Sequence, residues 1–109
     1  MTASADVMRL PPGSRWRSAV CEAELVVVRA PAAPVILRIG GADVLAPDAG
    51  PPAGAKLDES LADGTLLGKR YADEVSGLEI LCTKSGSGTI TVDGRRATIM
   101  APKRLPASD

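Results

Sequence analysis

Residues 78–84, Leu-Glu-Ile-Leu-Cys-Thr-Lys, place Leu78, Ile80 and Cys82 on one face, and Ser85-Gly86 follow at once. Alternation of this kind is the signature of a half-buried β-strand. The same punctuation governs the rest of the chain. Residues 21–29 read as a strand that "APAAP" breaks, and Val-Ile-Leu-Arg-Ile at 35–39 resumes a strand that Gly40 and Gly41 end. Pro31 and Pro34 cannot donate to a ladder, so they belong in the connection. The expectation is an N-terminal hairpin. Further on, Asp93-Gly94 lies between two alternating runs, a strong hairpin signal because a type I′ turn wants positive φ. Together with 78–84 this predicts a C-terminal three-stranded meander, and residues 68–75 add a strand before it.

Between these halves, residues 46–64 are rich in Pro, Gly, Ala and Asp and read as a long loop, with a short helical turn at 56–63. Unstructured connections beyond ~12–15 residues are uncommon in compact domains and tend to be functional or disordered. Residues 1–14 are small, polar and proline-bearing and read as a flexible N-terminus. The tail from 101 reads as extended or loose. The predicted fold is thus mainly β: antiparallel hairpins joined by a long Pro/Gly loop, in one domain over 15–109.

The totals narrow the function classes. Thirteen Lys and Arg balance thirteen Asp and Glu in 109 residues, so the formal net charge is zero. Nucleic-acid binding usually needs a clearly basic face, and single-strand binding needs aromatic platforms. Phe is absent, and Trp16 and Tyr71 are the only aromatics, so no nucleic-acid partner is expected. Neutrality gives little repulsion between copies, which makes a homodimer plausible. No stretch approaches the ~20 apolar residues of a membrane-spanning helix, and no export signal is visible, so the expected compartment is the cytoplasm and no membrane is involved. His is absent as well, which removes the commonest general base and the commonest metal imidazole. No acid pair is placed by a motif for acid–base work, and the chain is not expected to be an enzyme.

Attention falls on the two thiols, Cys21 and Cys82. Free Cys is often a small buried hydrophobe, and Cys82 alternates with Leu78 and Ile80 in the manner of a core residue. A disulfide would need an oxidising compartment. A catalytic thiol would normally need a base beside it. Thiolates also bind divalent metals, with carboxylate or water completing the set. A self-sufficient zinc site would carry paired Cys-x-x-Cys knuckles, but Ser18 stands three before Cys21. Two chains about a twofold axis could pool four thiolates, or two thiolates and nearby acids. Glu22 and Glu24 beside Cys21, Glu79 near Cys82, and Asp43 after the Gly-Gly turn are the acids at hand, though each also reads as an exposed strand residue. Ser-Gly-Ser-Gly at 85–88 has no following helix and no lysine at phosphate-loop spacing, so it reads as a flexible hairpin turn.

The segments "CEAELVVVRAP", "LLGKRYADEVSGLEILCTKSGSGTITVDGR" and "KRLPASD" resemble the small metallochaperones that accompany cobalt-type acetonitrile (nitrile) hydratases, over most of the chain. The resemblance implies a carrier of divalent cobalt, with zinc or nickel as other cargo, and the cobalt-binding subunit of a nitrile hydratase as its partner. Similar small sequences carry further cysteines at positions matching Ser18 and Gly40, which makes this chain look like a degenerate zinc ribbon. Cys21 and Cys82 are the first ligands expected, with Glu22, Glu24 and Asp43 after them. The alternative expectation is a metal-free scaffolding module that assists an enzyme subunit.

Overall fold

The computed structural model describes residues 7–100. Among the described residues the chain forms nine short strands and one 3₁₀ turn. In order they are β1 (Arg15–Arg17), β2 (Glu24–Arg29), β3 (Leu37–Ile39), β4 (Ala42–Asp43), the turn (Glu59–Leu61), β5 (Arg70–Asp73), β6 (Leu78–Lys84), β7 (Ile90–Val92), β8 (Arg95–Arg96) and β9 (Thr98–Ile99). All pairing is antiparallel. One sheet runs β1-β2-β6-β5-β9 and the other β4-β3-β7-β8.

The mainly β class is as the sequence reads, and β6 occupies the residues of the alternating run, Leu78–Lys84. The pairing differs. The strand at 24–29 does not form a hairpin with 37–39; it pairs with β1 and β6. Nor do 78–84, 90–92 and 95–96 make one meander, because β6 lies in the first sheet while β7 and β8 lie in the second. The hairpin at Asp93-Gly94 is local as expected, and so are β3–β4 about Gly40-Gly41 and β5–β6 about 74–77; Asp93 takes the positive φ of 51° that its turn demands. Asp93 Oδ1 also accepts from the Ile36 amide at 2.8 Å, tying this turn to the entry of β3.

Alternation explains the core. Leu25 and Val27 of β2, Leu78, Ile80 and Cys82 of β6, Leu37 and Ile39 of β3, and Ile90 and Val92 of β7 are all at most 2% exposed and form one cluster between the sheets. With no Phe to fill space, the cluster depends on Val, Ile and Leu interdigitating from both sides, and Tyr71 closes its edge. Residues 8–14, expected to be loose, are held. Met8 bridges Val35, Leu10 is buried, and the Gly13 amide donates to Val27 O at 2.7 Å. The apolar side chain of Leu10 outweighs the polar and proline-rich surroundings that suggested mobility. Residues 1–6 and the tail from 101, including "KRLPASD", lie outside the described residues.

The loop at 46–64 is ordered at its far end. Asp58 caps the 3₁₀ turn by accepting from the Ser60 amide, its own amide donates to Gly40 O at 3.0 Å, and Thr89 N–H donates to Leu61 O at 2.8 Å. These bonds draw 57–65, the β3–β4 turn and the β6–β7 link to one end of the molecule. Cys21 is at that end.

Candidate functional site around Cys21

Residues 18–23 form a tight turn before β2. Ser18 N–H donates to Ala23 O at 2.9 Å, and Ser18 Oγ accepts from the Val20 and Cys21 amides at 3.0 Å each. A short hydroxyl suits this role because it can satisfy main-chain donors two and three residues on. Ser18 is accordingly buried at 2% exposure. The turn leaves the Cys21 sulfur half-buried, and Gly88 N–H donates to it at 3.4 Å.

That approach explains the glycines of the 85–88 link. A Cβ on Gly86 would lie 2.5 Å from Ala23 N and 2.7 Å from Cys21 Sγ. One on Gly88 would meet Gly40 N at 2.8 Å and Ile39 Cγ2 at 2.9 Å. The link is therefore a closely packed strap and not the flexible turn the sequence suggested. Only a chain without side chains at these two positions comes so near the sulfur.

The two thiols differ in character. Burial pushes the Cys21 thiol up, but hydrogen bonds from the Ser18 hydroxyl and from the main chain at Ala23, Gly88 and Ser87 outweigh it, and the thiol sits below its ordinary value. Donors aimed at sulfur favour the charged form. Cys82 is 1% exposed, and its thiol donates to Lys84 O at 3.1 Å. Burial pushes its thiol up, and the charge of Cys21 adds to that. Cys21 is the accessible sulfur and Cys82 the one beneath the surface.

The acids do not join them. Glu22 is exposed in the turn. Glu24 sits in register between Arg17 of β1 and Lys84 of β6, a cross-strand position where opposite charges suit one another. Asp43, at the edge of the other sheet, pairs with Arg38 at 2.8 Å. Glu79 pairs loosely with Arg29, at 3.7 Å. Among the described residues, no three Cys, Asp or Glu side chains gather into a group that could hold a metal ion. Ser18 and Gly40 do lie at the same end as Cys21: a Cβ on Gly40 would touch Val20 Cγ2 at 2.9 Å and Gly88 Cα at 3.4 Å.

Compared with protein-family models, curated proteins and solved structures, the chain matches none. Within 7–100, no helix is long and apolar enough to cross a membrane.

Sequence reasoning found both sulfurs but missed what surrounds Cys21. Thr65 is fully buried and binds the strap through both its main chain and its hydroxyl. Its sequence neighbours, Asp63-Gly64 and Leu66-Leu67, carry no sign of that. Two glycines two apart near a cysteine-bearing strand were the available signal, since glycine marks close main-chain approach as well as flexibility.

Proposed function

We propose that this chain is a metal carrier and not an enzyme. It takes up a divalent ion at the Cys21 sulfur, with Cys82 behind it, water and a second copy of the chain completing the ligand set. Cobalt is the cargo the resemblance implies, and the cobalt-binding subunit of a nitrile hydratase the recipient; zinc and nickel are the other ions such donors accept. The observation that carries this reading is the half-buried Cys21 thiol, kept easy to ionise by donors at Ser18 and Gly88. Metal ligation requires the thiolate, so the protein's own groups lower one cost of binding.

An incomplete ligand set is consistent with delivery. A closed four-ligand site exchanges slowly, whereas one thiolate with weak or borrowed partners releases its ion to better ligands. Ligand softness and affinity order do not by themselves choose cobalt over zinc or copper, so selection falls to geometry or to the recipient.

The test is a titration of the reduced protein with Co²⁺, following the thiolate-to-cobalt absorption. The band is expected in the parent, absent in Cys21→Ser, and weakened or shifted in Cys82→Ser. Binding in the Cys21→Ser, Cys82→Ser double variant as tight as in the parent would end the proposal.

One observation favours the scaffolding alternative. Leu66, Leu67, Ile99 and Met100 are exposed apolar side chains, and Ile99 lies on the edge strand β9. In that reading both cysteines are structural, and Cys21→Ser leaves partner binding intact.

A further inference from the structure

Ser-Gly-Ser-Gly at 85–88 is fastened to the sulfur from one side by a single residue. Thr65 N–H donates to Gly86 O at 2.9 Å, Gly86 N–H returns to Thr65 O at 3.1 Å, and Thr65 Oγ1 donates to Gly88 O at 2.7 Å. Thr65 is 0% exposed, so these bonds are shielded from competing water. Thr65 Oγ1 holds the carbonyl of Gly88, the same residue whose N–H reaches Cys21 Sγ. On the far side the strap continues into Thr89, which accepts from the Gly40 amide at 2.8 Å and, through Oγ1, from the Asp63 amide at 2.8 Å. The strap is clamped from two directions, and its glycines leave no slack, because a Cβ at either would strike the main chain opposite.

We infer that Thr65 is a positioning residue: its hydroxyl latches the Gly86–Gly88 strap so that the Gly88 amide stays on the Cys21 sulfur, where it tunes that sulfur as a metal ligand. The metal part rests on the carrier reading above. The latch itself does not. Groups that hydrogen-bond a ligand atom fix its orientation and basicity, and losing one typically weakens metal binding by about 10–100-fold. A hydroxyl at 65 supplies the bond; the methyl of threonine does not.

Two measurements test this on the full chain. The first is amide hydrogen exchange in metal-free protein. Gly88 N–H is expected to exchange more than about tenfold faster in Thr65→Val, and faster also in Cys21→Ala, which removes its acceptor. The central amides of Val27 and Ile80 stay slow in both, and Thr65→Ser restores the parent rate at Gly88. Unchanged Gly88 exchange in Cys21→Ala overturns the sulfur contact, whatever Thr65→Val does to folding. Equal damage from Thr65→Ser and Thr65→Val overturns the hydroxyl latch. The second is Co²⁺ affinity with its thiolate-to-cobalt band. About tenfold weaker binding in Thr65→Val, with Thr65→Ser near the parent, supports the tuning role. Parent affinity in Thr65→Val contradicts it. A parent that takes up no Co²⁺ brings down the carrier reading, and the exchange data then decide the latch alone.

Discussion

At the scale of single residues, the glycines separate close packing from mere flexibility. Gly86 and Gly50 are both without positive φ, yet a side chain at 86 would strike Ala23 N and Cys21 Sγ while one at 50 meets open space. Gly86→Ala is therefore expected to cost about 1–3 kcal/mol, the usual range for forced overpacking. Gly50→Ala should be neutral or stabilising by up to ~1 kcal/mol, since it only restricts the unfolded chain. Urea denaturation of the two variants checks the contrast. Asp73 supplies a pH-dependent counterpart. Its hydrogen bonds to Arg95, at 2.8 Å and 3.0 Å, outweigh burial and, with Ser76 also donating, hold the carboxyl down to about 2. An unfolded aspartate titrates near ~3.9, so the folded form binds its proton less readily. The stability Asp73 contributes is then complete above about pH 4 and lost as pH falls towards about 2. Solvent reaches Arg95, which reduces the contribution to about 1 kcal/mol. Asp73→Asn should lower stability at pH 7 by that amount and flatten the loss between pH 4 and 2, read by thermal unfolding across the range. Neither Asp73–Arg95 nor Thr65 was legible beforehand, because each acts on residues more than twenty positions away.

At the scale of elements, β6 is the structural centre. It lies between β2 and β5, and three of its residues face the shared core. Ile80→Ala should therefore cost about 3 kcal/mol, in the range of buried Ile and Leu truncations. Ile99→Ala, on the half-exposed edge strand, should stay within about 0.5 kcal/mol. Chemical denaturation of both variants tests which strand the fold depends on. The positions of these strands were readable because alternation and Gly/Pro punctuation are local signals. Runs such as 21–29, 68–75 and 78–84 announced themselves in this way, and the strands fall within them at Glu24–Arg29, Arg70–Asp73 and Leu78–Lys84. Their partners were not readable. Alternation says which side chains share a face, and it says the same for β6 beside β7 as for β6 beside β2. The decision is made by the 85–88 strap, which carries the chain from one sheet to the other while pressing against Cys21 and Gly40. A hairpin reading of Ser-Gly-Ser-Gly treats glycine as slack, whereas here it allows contact. The candidate site follows the same division. Cys21 and Cys82 stood out as the only sulfurs of their kind, but the donors around Cys21 come from segments far apart in sequence.

At the scale of the whole molecule, the proposed carrier reading rests on one accessible thiol, Cys21, in a chain of zero net charge that has no His. If the ligand set is shared between copies, metal and self-association are linked, and each strengthens the other by mass action. Added Co²⁺ should then shift the monomer–dimer balance towards dimer, and a chelator should reverse it, with sedimentation velocity as the readout. Cys21→Ser should remove the metal dependence while leaving the fold intact. The central claim is the exchangeable metal site at Cys21, and native mass spectrometry of the reduced protein titrated with Co²⁺ tests it most directly. The account predicts a cobalt-bearing dimer that grows with added ion and is lost in Cys21→Ser. A mass and oligomeric state that never change with Co²⁺ would contradict it.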